Sequence, residues 1–127
     1  MGPSPTPLVG RRVLVVEDEA LVSMLIEQML EDLGCFVVGP ATTIAGALAL
    51  AGDGEAIDMA LLDVNLSGER VFPVAEALER LGVPFAFSTG YGEGGLPEEW
   101  RGRPTLQKPY SFDDVIVALG ALASAKA

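Results

Sequence analysis

The apolar run Met59–Leu62, which leads directly into the carboxylate of Asp63, constrains the fold more than any other stretch of the sequence. The run shows no alternation of polar and apolar residues, which indicates a strand buried on both faces, as in a parallel sheet. Asn65 and Gly68 then indicate a loop. Asp63 is therefore expected at the edge where α/β sheets bind ligands. Taken alone, an Asp at such a place is equally compatible with the capping of a turn.

Segments of strand type and helix type alternate along the chain. The expected strands are short and apolar, and they are Arg12–Val16, Phe36–Gly39, Met59–Leu62, Val83–Phe87 and Thr105–Gln107. The expected helices have apolar residues at helical spacing, and they are Ala20–Leu33, Ile44–Ala51, Arg70–Leu81 and a last helix from the cap Ser111 through Leu122. This alternation predicts an α/β domain with a parallel sheet and helices on both of its faces.

The segment from Gly90 to Pro104 breaks this alternation. It is rich in glycine and proline and has no apolar helical stripe. Each glycine inside a helix costs about 1 kcal/mol relative to alanine, so several of them outweigh what a short helix could gain. Only Pro97–Trp100 is suited to a turn or so of helix. We therefore expect a fourth helix that is short or largely replaced by a glycine-rich loop.

Composition limits both the size of the domain and its partners. The chain has 127 residues, 50% of them apolar, and we expect one domain at residues 11–124, a flexible leader at 1–10 and a tail at 125–127. The formal net charge of -10 argues against a nucleic acid partner, whose phosphates would be repelled. Cys35 has no partner for an internal disulfide, and no apolar run approaches the roughly 18 residues of a membrane span. We therefore expect a cytoplasmic protein that does not enter a membrane.

Polar side chains stand at the ends of four of the expected strands. Glu17 and Asp18 come after the first strand, Asp63 after the third, Thr89 after the fourth and Lys108 after the fifth. Carboxylates held together repel unless a cation neutralises them, and Mg²⁺ takes oxygen ligands of this kind. A nearby hydroxyl and ammonium add hydrogen-bond donors and positive charge for a phosphoryl group. The set therefore predicts transfer of phosphate onto an Asp.

From about Arg12 to Leu122 the chain resembles the receiver domains of two-component response regulators. Their signature is an acidic pair, an acceptor Asp, a Thr and a Lys-Pro pair at these strand ends. The resemblance implies a flavodoxin-like three-layer sandwich with strand order 2-1-3-4-5. It implies that a histidine kinase or histidine phosphotransfer protein phosphorylates Asp63. It also implies that Asp18, Asp63 and the carbonyl of Asn65 hold Mg²⁺.

The same resemblance assigns roles to the remaining site residues. Glu17 assists the metal through a water molecule, Thr89 bonds a phosphoryl oxygen on activation, and Lys108 pairs with the phosphoryl group. A cis peptide between Lys108 and Pro109 is implied as well. A receiver is a signalling domain that assists its own phosphorylation and slow dephosphorylation, and we expect no other enzymatic activity.

One position departs from the usual receiver pattern. Many receivers have an aromatic switch residue three positions before the Lys, where this chain has Thr105. The runs PFAFSTGYG and LPEEWRGRPTLQKPY are similar to a receiver subgroup often found alone or beside alphaproteobacterial histidine kinases. Tyr91 and Trp100 then have two interpretations. Either they move with Thr105 as a face that binds a partner, or they are rigid apolar anchors of their loop.

Four functions are compatible with the sequence. The first is a stand-alone receiver that binds and releases protein partners as Asp63 gains and loses phosphate. The second is an aspartyl phosphatase, but such enzymes generally need a second acid two residues on for proton transfer, where Asn65 stands. The third is a receiver excised from a hybrid kinase or larger regulator, and the fourth is a phosphate sink without an effector. These last two differ from the first in context and partners rather than in chemistry.

Overall fold

The structure, a computed structural model, describes residues 8–52, 56–90 and 96–126. Its strands are β1 (Arg12–Val16), β2 (Phe36–Ala41), β3 (Met59–Asp63), β4 (Asn65–Leu66), β5 (Glu69–Arg70), β6 (Phe85–Thr89) and β7 (Thr105–Gln107). Its helices are α1 (Ala20–Asp32), α2 (Ile44–Gly52), α3 (Phe72–Leu81) and α4 (Phe112–Lys126), with one turn of 3-10 helix at Glu98–Trp100.

The central sheet is parallel and has five strands in the order β2-β1-β3-β6-β7. The strands β4 and β5 form a separate two-stranded hairpin. With that hairpin set aside, the order is the expected 2-1-3-4-5. The prediction of a flavodoxin-like sheet between two layers of helices is therefore confirmed.

Each face of the sheet carries its own buried apolar cluster. Phe85 and Phe87 of β6 pack on one face with Trp100 and with residues of α2 and α3. Ala86, between them in sequence, packs on the other face with α1 and α4. Successive residues of a strand point to opposite faces, so β6 contributes to both clusters. Truncating a buried phenylalanine of this kind to alanine costs about 3–5 kcal/mol of unfolding free energy.

The third helix begins at Phe72 rather than at the expected Arg70. Arg70 belongs to β5, where it pairs with Asn65 of β4. The turn between these strands consists of Ser67 and Gly68, whose φ angles are 49° and 89°, as in a two-residue type I′ hairpin. The sequence indicated only a loop here, because strands of two residues are too short to show an alternating pattern.

Other elements differ from their expected ends by a few residues. The strand β2 continues from Gly39 to Ala41, because its pairing with β1 resumes at Ala41 after a shift in register. The strand β6 starts at Phe85 rather than Val83, since Pro84 has no N–H to donate to the ladder. The helix α4 runs on to Lys126, within the segment expected to be a tail. The peptides Gly39–Pro40 and Lys108–Pro109 are both cis.

The folded domain begins within the segment expected to be a flexible leader. Leu8 is fully buried, and its carbonyl accepts a hydrogen bond from the Cys35 thiol at 3.3 Å. The N–H of Gly10 donates to the Gly34 carbonyl at 2.8 Å. Burial raises the pKa of the Cys35 thiol, which suits a core residue rather than a nucleophile. The first seven residues lie outside the described part of the chain.

The expected short helix after the fourth sheet strand is the single 3-10 turn Glu98–Trp100. Trp100 is only 5% exposed, and its ring stacks on Phe72 with planes 6° apart and centroids 6.1 Å apart. Residues 91–95, which belong to the expected glycine-rich loop, lie outside the described residues. Of the helices described here, none combines the length and apolar character needed to cross a membrane.

Candidate functional site

The polar residues expected at the strand ends lie together at the carboxyl edge of the sheet. Asp63 ends β3 and pairs with Ser88 of β6, so Thr89 follows directly on the neighbouring strand. The backbone N–H of Lys108, just after β7, donates to the Thr89 carbonyl at 2.9 Å. Glu17 follows β1, the strand on the other side of β3. The parallel pairing thus brings together residues that are far apart in the sequence.

Three acidic side chains form the centre of the site. Glu17, Asp18 and Asp63 offer carboxylate oxygens that all lie within 4.8 Å of one another. Glu17 and Asp63 are buried, with 1% and 5% of their surface exposed, whereas Asp18 is partly exposed. Carboxylates this close repel, and burial removes the water that would weaken the repulsion. The cluster therefore requires positive charge.

Lys108 supplies one such charge. Its Nζ lies 3.2 Å from Asp63 Oδ2, 3.2 Å from Glu17 Oε1 and 3.2 Å from Glu19 Oε1. Burial acts to lower the pKa of the Lys108 ammonium, but the carboxylates of Asp63 and Glu17 outweigh burial and raise that pKa above its ordinary value. Lys108 is therefore a cation throughout the physiological pH range.

One ammonium does not neutralise the whole acidic cluster. Burial raises the pKa of Glu17 to about 7, and the neighbouring Asp63 adds to the increase. The backbone N–H of Glu19, which donates to Glu17 Oε2 at 3.1 Å, and the charge of Lys108 act in the opposite direction. Near pH 7 Glu17 is accordingly divided between its acid and carboxylate forms.

The hairpin β4–β5 fixes the loop that follows Asp63. The N–H of Val71 donates to the Val64 carbonyl at 2.9 Å, so the neighbouring pair Asn65–Arg70 is one that does not exchange backbone hydrogen bonds. The N–H and C=O of Asn65 therefore point away from β5. The Asn65 N–H donates to Asp63 Oδ1 at 3.3 Å, which shows that this side of the loop faces the site.

The turn of the same hairpin holds Asp18. The backbone N–H and the hydroxyl of Ser67 both donate to Asp18 Oδ2, at 2.9 and 2.7 Å. The side-chain oxygen of Asn65 accepts a hydrogen bond from the Gly68 N–H at 3.1 Å. The hydrogen bonds from Ser67 thus hold Asp18 against the loop after β3 at the edge of the site.

The donor set fits a magnesium ion. The available ligands are oxygens only, which is the preference of Mg²⁺. Glu17 Oε1 is buried and accepts no hydrogen bond from any described residue, so its only partner there is the ion pair with Lys108. A second cation would offset the desolvation of Glu17. The residues able to hold it are Glu17, Asp18, Asp63 and Asn65.

Two adjoining cavities open beside Asp63. One, of about 290 Å³, is lined in part by Asp63, Asn65, Thr89 and Gly90. The other, of about 310 Å³, is lined by Glu19, Asp63, Asn65, Gly90 and Lys108. Thr89 is buried, and the alternation along β6 puts it on the same face of the sheet as Phe87. The site therefore has room for a small group bonded to Asp63, next to the residues expected to contact a phosphoryl group.

The residues expected to form a switch are not gathered into one exposed face. Trp100 is buried among aromatic rings in the layer of α2 and α3, on the opposite face of the sheet from α4. Thr105 lies in β7, and its hydroxyl donates to the Arg103 carbonyl at 3.0 Å. Tyr91 lies outside the described residues. Trp100 thus has the position of a loop anchor.

Two side-chain contacts had no clear signal in the sequence. The guanidinium of Arg103 lies 5.1 Å from the Phe85 ring centroid and 5.3 Å from that of Trp100, and it forms an ion pair with Glu79. A single Arg in a loop segment does not predict such a contact. Glu19 contacts Lys108, and its only signal was its place beside the acidic pair.

Comparison with known proteins identifies the relatives of this chain. Residues 13–119 match the family of response regulator receiver domains. The phyllosphere-induced regulator PhyR of Methylorubrum extorquens is 32% identical over 102 residues, which cover 77% of this chain and 38% of PhyR. The transcriptional regulatory protein PdtaR of Mycobacterium tuberculosis is 31% identical over 115 residues, which cover 87% of this chain and 56% of PdtaR. The chain therefore spans only part of the length of these curated relatives.

Solved structures give similar matches. The solution structure of SdrG from Sphingomonas melonis Fr1 has a TM-score of 0.80 and 46% identity, over 91% of this chain and 97% of SdrG. The crystal structure of the response regulator PhyR from Brucella abortus has a TM-score of 0.80 and 33% identity, over 94% of this chain and 51% of that one. A solution structure of SdrG in its BeF3-activated conformation has a TM-score of 0.78 and 48% identity, over 88% of this chain and 95% of that one.

Proposed function

This chain belongs to the response regulator receiver domains of two-component signalling, and we propose that it acts as a single-domain receiver whose Asp63 accepts a phosphoryl group from a histidine-bearing donor. The likeness to SdrG, which this chain matches over 97% of SdrG's length, supports the single-domain part of the proposal. Receiver domains are signalling domains rather than enzymes with a substrate of their own. The proposed output is a change in protein contacts that follows phosphorylation.

In the proposed reaction, a carboxylate oxygen of Asp63 bonds to phosphorus while the bond between phosphorus and the donor nitrogen breaks. Asp63 becomes an acyl phosphate, and the donor histidine keeps the electron pair of the broken bond. Lys108 is placed to neutralise a phosphoryl oxygen, and the Thr89 hydroxyl is within the same cavity system to donate to another. A Mg²⁺ ion held by Glu17, Asp18, Asp63 and the Asn65 carbonyl would supply positive charge to the phosphoryl oxygens.

The observation that carries the proposal is the position of Asp63, which is buried at the end of β3 with the Lys108 ammonium 3.2 Å from Oδ2 and a cavity beside it. The test is incubation with Mg²⁺ and acetyl phosphate, followed by intact mass measurement. We expect one added phosphoryl group on the wild type and on Asp113→Asn, an exposed carboxylate in the first turn of α4. Asp63→Asn should gain none. Equal labelling of Asp63→Asn would refute the proposal.

The phosphatase alternative has less support. The residue two positions after Asp63 is Asn65, which has no acidic proton to transfer. Its side-chain oxygen already accepts a hydrogen bond from the Gly68 N–H at 3.1 Å. We therefore propose a phosphoacceptor rather than a hydrolase that acts on a separate phosphate ester.

We place the docking site of the phosphodonor on the first turns of α1. The donor must bring its histidine to Asp63, and Glu19, at the start of α1, lines the cavity there. Leu21, Met24 and Leu25 expose 78%, 63% and 60% of their surface, and their spacing puts them on one side of the helix. Adjacent exposed apolar side chains are typical of a contact surface. A helix of the donor that covered them would also reach Asp63.

The output partner is proposed to be another protein. PhyR from Bartonella quintana, at 28% identity, is described as an anti-anti-sigma factor. A protein rather than a nucleic acid partner also agrees with the net charge of -10 of this chain. We propose that Thr89 moves towards the phosphoryl group, that Gly90 follows, and that residues around Trp100 and Thr105 then change the surface offered to this partner. These interactions take place in the cytoplasm in our proposal.

A further inference from the structure

Glu19 is a third carboxylate on the Lys108 ammonium and has no part in the receiver signature described above. Its Oε1 lies 3.2 Å from Lys108 Nζ, the same distance as Asp63 Oδ2 and Glu17 Oε1. An ammonium has three N–H donors, and Lys108 donates to Glu19 Oε1 and Asp63 Oδ2, whereas Glu17 Oε1 lies at ion-pair distance without a hydrogen bond. A phosphoryl group on Asp63 would therefore share this ammonium with Glu19 or take it from Glu19.

The three carboxylates differ in what it costs to release them. Glu17 and Asp63 are buried, so loss of the ammonium would leave each charge shielded from water, with one backbone N–H apiece, from Glu19 and Asn65, to stabilise it. The Glu19 side chain is 63% exposed, and water can replace the ammonium there at little cost. Glu19 is therefore the partner from which Lys108 can be withdrawn most readily.

The position of Glu19 also brings its charge close to the phosphoryl group. Glu19 lines the cavity of about 310 Å³ that Asp63, Asn65, Gly90 and Lys108 complete. A phosphoryl group bonded to Asp63 in this cavity is a dianion near neutral pH. The carboxylate of Glu19 would repel it and would compete with it for the same ammonium.

Building on the proposed function, we propose that Glu19 is a positioning residue that holds Lys108 in the unmodified state and competes with the phosphoryl group for this ammonium. Glu19 thereby weakens the phosphorylated conformation relative to the unmodified one. A ligand or modification shifts such an equilibrium only by its differential interaction with the two states, and the Glu19–Lys108 ion pair is a contact made in one state alone.

The test is the affinity of the purified protein for beryllium fluoride, a mimic of the phosphoryl group, in the presence of Mg²⁺. Glu19→Gln is expected to raise this affinity about two- to fivefold, the range expected for loss of an exposed ion pair. Glu31→Gln, which makes the same charge change on an exposed residue of α1, is the matched control and should leave the affinity unchanged. Glu19→Asp keeps the charge but shortens the side chain, and it should resemble Glu19→Gln because the contact with Lys108 is lost.

The possible results separate this inference from the proposed function. If the wild type binds beryllium fluoride and Glu19→Gln binds it no more tightly, the role of Glu19 is wrong and the phosphoacceptor role of Asp63 stands. An equal gain in Glu31→Gln would also overturn the inference, because it would assign the effect to net charge alone. If the wild type takes up neither beryllium fluoride nor a phosphoryl group, both the proposed function and this inference fail.

Discussion

Lys108 Nζ lies 3.2 Å from Asp63 Oδ2, although 45 positions separate the two residues in the sequence. The contact exists because Asp63 ends β3, Lys108 follows β7, and β6 between them pairs in parallel with both strands. The same ammonium also neutralises Glu17. Lys108 is thus the side chain whose contacts we expect to change on the proposed phosphorylation of Asp63.

Lys108→Ala is expected to permit phosphorylation of Asp63 but to remove the conformational response, since the acceptor and the metal ligands remain while the cation that senses the new charge is lost. The measurement is backbone hydrogen exchange at Thr89, Gly90 and residues 96–104, with and without phosphorylation. The wild type and Arg80→Ala, an exposed cation on α3, should respond. A full response in Lys108→Ala would show that another group senses the phosphate.

Affinity for Mg²⁺ is expected to rise with pH between about 6 and 8. The proposed metal site uses the carboxylate form of Glu17, and burial raises the pKa of Glu17 to about 7. Below that pKa the metal must displace a proton, which costs up to about tenfold in affinity per pH unit. Calorimetric titration at several pH values measures this. Glu17→Gln should lose the pH dependence and Glu31→Gln should keep it; a constant affinity in the wild type would contradict the assignment.

The same raised pKa affects the stability of the metal-free protein. Between the ordinary Glu pKa of 4.5 and about 7, folded Glu17 binds more protons than Glu17 in the unfolded chain. Its contribution to the free energy of unfolding therefore falls as the pH rises through this window. Urea unfolding at pH 5 and pH 8 should show this fall in the wild type and not in Glu17→Gln. Mg²⁺ should restore stability most at the higher pH.

The proposed docking surface on α1 predicts that changes to this helix affect a protein phosphodonor but not a small-molecule phosphodonor. The double variant Leu21→Ser with Met24→Ser should receive phosphate about tenfold more slowly from a histidine kinase that phosphorylates the wild type. The reason is the loss of apolar contacts between α1 and the kinase. Labelling by acetyl phosphate should stay unchanged. Val117→Ser on α4 is the matched control, since Val117 is 60% exposed. Equal loss with both donors would point to a damaged site rather than a lost contact.

Trp100 is expected to stabilise the domain as an anchor of its loop. Trp100→Ala should lower the free energy of unfolding by about 3–5 kcal/mol, because a buried ring stacked on Phe72 leaves a cavity. Phe36→Ala is the control, since Phe36 is an aromatic residue that is 60% exposed, and it should cost less than about 1 kcal/mol. Urea denaturation measures both. Similar small costs for the two variants would contradict the anchoring role.

The sequence alone predicted the sheet and most of the site because both depend on local patterns. Continuous apolar runs such as Met59–Leu62 identify buried strands, and a parallel sheet places all strand ends on one edge. The sequence alone is therefore enough to group Glu17, Asp63, Thr89 and Lys108. Their grouping follows from strand direction and needs no knowledge of individual side-chain contacts.

Features that depend on contacts between distant residues were not predictable in this way. The hairpin that pairs Asn65 with Arg70 has strands of two residues, which are too short to show an alternating pattern in the sequence. The contact of Glu19 with Lys108 depends on the direction of α1 relative to β1, which local sequence patterns do not predict. The burial of Trp100 depends on Phe72, Phe85 and Phe87, which come from two other elements.

We propose that Asp63, rather than any other carboxylate of this acidic chain, accepts the phosphoryl group. The most direct measurement is to phosphorylate the protein with acetyl phosphate and Mg²⁺, reduce the acyl phosphate with borohydride, and locate the resulting homoserine by peptide mass spectrometry. We expect modification at Asp63 alone, with none at the neighbouring Asp18 or Glu17. Modification at either of those residues, or at a carboxylate outside the site, would contradict it.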